Sequence, residues 1–144
     1  MRKILPALIL SAILALPLLR GQDDLEPLDW ETANRLSPKQ LSVYVPTPMP
    51  IVEKMLELAK VQPGEVLYDL GSGDGRIVIM GAQKFGARAV GIEFDPRLSR
   101  RGREKIQELG LSDQVKIIEN DILEEDLSAA DVVTVFLEPE AMER

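Results

Sequence analysis

From residue 66 onward one pattern repeats along the chain: a short, mainly apolar run, a break, then apolar positions at helical spacing. The runs at 66–70, 89–93, 115–119 and 131–137 are too short for helices and read as buried strands. Between them, 76–85 and 95–109 carry helical periodicity. Gly86 and Gly110 stand where those helices should close, and Asp95-Pro96 gives the second one an aspartate cap and a first-turn proline. Upstream, Ile51, Val52, Met55, Leu56 and Ala59 share one side of a helix over 51–61, ended by Pro63-Gly64. The stretch 44–50 holds three prolines in Pro46, Pro48 and Pro50 and is expected to be extended, not regular. Strands alternating with helices of ten to fifteen residues imply right-handed crossovers. The expected fold is α/β, a doubly wound parallel sheet of about four strands.

The break after the first of these strands is the most informative. Asp69-Leu70-Gly71-Ser72-Gly73-Asp74-Gly75 puts glycine at every second position between a strand and a helix. Such a turn lets the backbone bend sharply and approach a ligand closely, and the helix behind it offers unpaired N–H groups to a carboxylate or phosphate. Four acids fall at or just past strand ends: Asp69, Glu93, Asp121 and Glu138. In a doubly wound sheet ligands bind at those ends. Glu93 closes the next strand, where a carboxylate can accept from both hydroxyls of a ribose. Nicotinamide cofactors use the same placement, so Glu93 alone leaves the ligand open. A nicotinamide-binding oxidoreductase would need the spacing G-x-G-x-x-G, which this turn lacks. Asp121 reads either as another strand-end acid facing a ligand or as the cap of the turn at Ile122-Leu123.

The run D-x-G-x-G-x-G, with Gly91-Ile92-Glu93-Phe94-Asp95-Pro96 and Glu119-Asn120-Asp121, resembles class I S-adenosylmethionine-dependent methyltransferases over roughly 48–139. Tyr44-Val45-Pro46-Thr47-Pro48, taken with the glycine turn, is similar to the protein-lysine methyltransferase-like branch, which includes the lysine methyltransferases of the ATP synthase c subunit. The resemblance implies a Rossmann-like fold with S-adenosyl-L-methionine as cofactor and a protein lysine as acceptor. It implies cofactor contacts from Asp69, Leu70, Gly71, Ser72, Gly73, Gly75, Glu93, Asp121 and Ile122. Thr47 and Glu138 become candidates beside the methyl-transfer site. Members of the superfamily usually carry seven strands, so four imply an incomplete domain over 47–144 with the last strand left as a bare edge. The alternative is a binding or interaction module that transfers nothing. Phe136-Leu137-Glu138-Pro139 also departs from the Asn/Asp-Pro-Pro-aromatic motif of DNA and glutamine amino-methyltransferases.

Composition adds exclusions. The 144 residues suffice for one domain; they include no cysteine and no histidine, so disulfides, thiol nucleophiles and histidine bases are absent. Methyl transfer from a sulfonium needs neither, because alignment and exclusion of water do most of the work. The net charge of −7 argues against a nucleic-acid partner, and Arg97, Arg100, Arg101, Arg103 and Lys105 read as a solvated helix face. Residues 1–21 begin with Arg2 and Lys3, and residues 4–19 are uncharged and almost wholly apolar. They are expected to form a signal peptide or an N-terminal membrane anchor, standing apart from the fold and exporting the domain or tethering it on a side left open. An acidic extension, 22–46, with a helix around 30–36, leads to the domain.

Overall fold

The computed structural model describes residues 3–4 and 44–137. The elements are β1 (Lys3–Ile4), α1 (Met49–Leu58), β2 (Val66–Leu70), α2 (Arg76–Phe85), β3 (Arg88–Glu93), α3 (Pro96–Glu108), β4 (Val115–Glu119), a 3-10 turn (Ile122–Glu124) and β5 (Val132–Val135). All strand pairs are parallel, in the order β1-β5-β2-β3-β4. The chain steps outward from β2 through β3 to β4, then returns to the other side of β2 to form β5. That reversal between β2 and β5 is the switch point of a doubly wound sheet, and it opens a crevice at the strands' carboxyl ends.

Local rules account for most boundaries. The helix α2 starts behind Gly75 and stops at Gly86, both with positive φ. Asp95 caps α3 by accepting from the Arg97 amide at 2.8 Å, with Pro96 in the first turn. The helix α1 begins at Met49 and ends at Leu58, earlier at both ends than 51–61. Pro50 is tolerated there because a first-turn residue needs no intrahelical N–H bond, so 44–50 is irregular only as far as Pro48. Val52, Leu56 and Ala59 are buried, whereas Ile51 lies outside that arc and is about half exposed.

The helices cover one face of the sheet. Val52 and Leu56 of α1, Ile77, Val78 and Ala82 of α2 and Ile106 of α3 share a core with Leu67, Ala89, Ile117 and Val132. Contact there is close enough to dictate small residues: a Cβ on Gly81 would stand 2.6 Å from Leu67 Cδ2. The opposite face holds a smaller cluster, Tyr68, Val90, Ile92, Ala130 and Val133, with Leu70, Ile118, Ile122 and Leu127 packed against it.

The outer side of β5 is not wholly bare. Lys3 and Ile4 pair with Val132 and Val133, so this part of 1–21 joins the sheet instead of standing apart from it. The rest of that apolar segment, the helix expected at 30–36, and Glu138 lie outside the described residues. Among the described residues no helix is long and apolar enough to cross a membrane.

Candidate functional site

The crevice at the switch point gathers residues from five places in the chain. Asp69, Gly71, Ser72 and Asp74 come from the end of β2 and its turn, Glu93 to Asp95 from the end of β3, and Asp121 and Ile122 from beyond β4. Phe136 and Leu137 follow β5, and Tyr44 to Thr47 arrive from the proline-rich segment. Three of the four strand-end acids, Asp69, Glu93 and Asp121, therefore meet in one cleft.

Asp69 is 2 % exposed. Its Oδ1 accepts from the Thr134 hydroxyl at 2.7 Å, while Oδ2 is buried with no hydrogen-bond partner. Burial pushes its carboxyl up to about 7, against the Thr134 hydrogen bond, and the Glu93 and Asp74 charges add to the rise. Ser72, 5 % exposed, also has a hydroxyl oxygen without a partner. Buried polar groups are nearly always satisfied, so two unpartnered atoms on residues lining one cleft single that cleft out; the Ser72 hydroxyl itself lies over Gly91 of β3.

Glu93 is held by the backbone. Oε2 accepts from the Gly73 amide at 2.7 Å and Oε1 from the Asp95 amide at 2.8 Å. Its carboxyl is raised by burial, with these amides opposing the rise. Each oxygen can still accept a second hydrogen bond, so the carboxylate is oriented without being used up. Behind it the Ser99 hydroxyl, fully buried, donates to the Glu93 carbonyl at 3.2 Å.

The turn itself is anchored to β3. Gly71 and Ser72 amides both donate to the Ile92 carbonyl at 2.9 Å. Gly73 has φ +56°, and a Cβ there would collide with the Tyr44 ring, so glycine is required on both counts. Tyr44 belongs to a clasp that the sequence pattern does not single out. Arg76 grips Asp74 through Nε at 2.9 Å and Nη2 at 2.7 Å, donates from Nη1 to the Thr47 carbonyl at 2.9 Å, and reaches the Tyr44 hydroxyl at 3.4 Å. Burial raises the Asp74 carboxyl, but the Arg76 hydrogen bonds and charge outweigh it and hold the group below its ordinary value. Asp74 and Arg76 are visible in the motif. Their reach back to Tyr44 and Thr47 is not.

Other expected contacts resolve differently. Leu70 alternates to the opposite face and packs in the second cluster, so its side chain is not a wall of the cleft. Gly73 lies beneath Tyr44, and Gly75 caps α2 against Ile117. Asp121 lines the cleft, and its Oδ1 accepts from the Leu123 amide at 3.0 Å to cap the 3-10 turn. Thr47 is half-buried at the mouth. Among the described residues no cluster suits a metal ion.

Comparison with known proteins narrows the family. Residues 69–144 match the ANTKMT methyltransferase domain. A protein-lysine N-methyltransferase from Saccharolobus islandicus is 43% identical over 95 residues, 65% of this chain and 59% of that protein. The adenine nucleotide translocase lysine N-methyltransferase of Mus musculus is 37% identical over 111 residues, 76% of this chain and 48% of that protein. A crystal structure of an RNA methyltransferase from Salinibacter ruber, in complex with S-adenosyl-L-homocysteine, is 54% identical with a TM-score of 0.66, covering 67% of this chain and 63% of that one. The chain thus spans between 48% and 63% of the length of these relatives. Sequence, fold and turn geometry agree: the chain belongs to the class I methyltransferases, in the family of the ANTKMT methyltransferase domain.

Proposed function

We propose that the cleft binds S-adenosyl-L-methionine and that the chain serves methyl transfer to a lysine side chain of a protein. The observation that carries this reading is the convergence of Asp69, Glu93 and Asp121 on one cleft, with Asp69 Oδ2 and Ser72 Oγ buried and unpartnered. Asp69 suits the ammonium of the cofactor's methionine end, Glu93 its ribose hydroxyls, and Asp121 with Ile122 its adenine. The Salinibacter structure holds the demethylated form of the same cofactor, and the names of the Saccharolobus and mouse relatives support lysine as acceptor.

S-adenosyl-L-methionine supplies an activated methyl group on a sulfonium leaving group. The chain's residues then have three tasks. The glycine turn, tied to the Ile92 carbonyl, and Glu93, tied to the Gly73 and Asp95 amides, hold the bound molecule in one orientation. Pro46, Phe136 and Leu137 present apolar surface at the cleft. A lysine amine that enters past them loses solvent, which favours its neutral, nucleophilic form. Asp74 is committed to Arg76 and is not free to act as a base.

Isothermal titration with S-adenosyl-L-homocysteine, followed by incubation of the chain with radiolabelled S-adenosyl-L-methionine and separate protein and RNA pools, tests this. Binding with label recovered as N-methyl-lysine is expected. Label in the RNA, as the name of the Salinibacter relative suggests, would overturn the acceptor. Binding without transfer to either pool would favour the reading of a binding module.

A further inference from the structure

Asp69, which lines the cleft, is paired with a side chain that the sequence pattern does not mark. Thr134 lies inside β5, opposite Asp69 in the parallel register, and is 3 % exposed. Its hydroxyl donates to Asp69 Oδ1 at 2.7 Å and stands 3.3 Å from the Tyr68 carbonyl. We propose that Thr134 is a positioning residue for the cofactor site: by occupying Oδ1 it fixes the Asp69 carboxylate so that Oδ2 meets the cationic end of the bound cofactor. This rests on the cofactor reading above.

The reason lies in the hydrogen bonds. A carboxylate closing a strand can turn about its last torsion, and a buried one turns to whichever donor is available. The Thr134 hydroxyl is the donor given to Asp69, and it engages one oxygen only. Carboxylates approach from other elements without supplying a donor: Glu93 from β3 is held by the Gly73 amide of the turn and the Asp95 amide, and Asp74 from the turn is neutralised by Arg76 of α2. An ammonium is the complementary partner for the remaining oxygen, because it donates up to three hydrogen bonds and carries the opposite charge. Binding such a cation favours the ionised carboxylate, so affinity should rise as the solution is taken from acid through neutral pH. The threonine hydroxyl favours the same ionised form.

Thr134→Val keeps the shape and removes the donor, while Thr134→Ser keeps the donor and removes only a methyl. Affinity for S-adenosyl-L-homocysteine is measured by titration calorimetry with the full chain between pH 5.5 and 8.5. The expected result is a Thr134→Val protein weakened about tenfold at neutral pH, as loss of a hydrogen bond to a charged group implies, with its pH midpoint moved upward. Thr134→Ser should restore both. If Thr134→Val does not fold, Thr134→Ala lacks the same donor with less bulk and must behave alike. A valine or alanine variant with lowered thermal stability but unchanged affinity and pH midpoint would overturn the proposal and leave a structural threonine. Failure of the unmutated chain to bind at all would instead refute the cofactor reading itself.

Discussion

Leu67 and Asp69 sit two residues apart on β2, face the same side of the sheet, and are almost equally buried, at 0 % and 2 % exposed. Their surroundings differ in kind. Leu67 lies in the helix-covered core, so tightly that Gly81 of α2 has no room for a methyl group. Asp69 is dehydrated to a similar extent but has one oxygen bonded and one without a partner. Burying a carboxylate with incomplete pairing costs stability, and burying leucine contributes it, roughly 1.5–3 kcal/mol for a full side chain. Within one strand, then, the middle stabilises the sheet while the carboxyl end holds an incompletely paired acid that costs stability. The division follows the geometry of parallel sheets, in which only the strand ends open toward a ligand.

The largest test of that contrast is Leu67→Ala. Removing most of a buried side chain from a packed site should cost about 2–5 kcal/mol in urea unfolding, with affinity for S-adenosyl-L-homocysteine unchanged in the molecules that remain folded. Asp69→Asn should act the opposite way. The carboxyl rises from 3.8 to about 7 on folding, so the folded state holds a proton that the unfolded chain releases earlier. Stability contributed by the protonated form is present in full below pH 3.8 and is lost as pH climbs toward about 7. The loss for this one group is on the order of a few kcal/mol. Thermal midpoints measured across that window should fall less steeply with rising pH in Asp69→Asn than in the parent, and the asparagine variant should bind the cofactor poorly.

Glu93→Ala comes next. It removes a carboxylate held ready by two amides, and affinity should drop by about 1.5–3 kcal/mol in calorimetry; an unchanged affinity would take Glu93 out of the site. The smallest effect belongs to the surface. Arg97 pairs with Asp95 at 3.0 Å, but its side chain is 85% exposed. Arg97→Ala should therefore shift stability by less than about 1 kcal/mol and leave binding untouched, since the Asp95 cap is made to the backbone amide.

These regions also differ in how far the sequence disclosed them. The helix α2 and the strand β4 were legible to the residue, because glycines with positive φ and short apolar runs are local signals. The convergence of Asp69, Glu93 and Asp121 was legible too, since parallel strands joined by helices bring their carboxyl ends to one edge. Contacts that depend on register or on long side chains were not. Thr134 meets Asp69 only because β5 returns beside β2 in that register. Arg76 reaches Thr47 because its side chain is long enough to span the turn. The edge pairing of Lys3–Ile4 with β5 likewise has no local mark where a basic start runs into an uncharged, almost wholly apolar stretch. Leu70 belongs to the cleft by its motif neighbours, but strand alternation turns it to the other face.

At the centre of the proposal stands the dehydrated, half-satisfied carboxyl of Asp69 near the end of β2, to which the proposal assigns a cation. Its most direct test is the proton balance of S-adenosyl-L-homocysteine binding near pH 6.5, obtained by calorimetry in buffers of different ionisation enthalpy. Net proton release that disappears in Asp69→Asn is the expected result. Binding with no proton exchange, or with the same exchange in the asparagine variant, would contradict that role for Asp69.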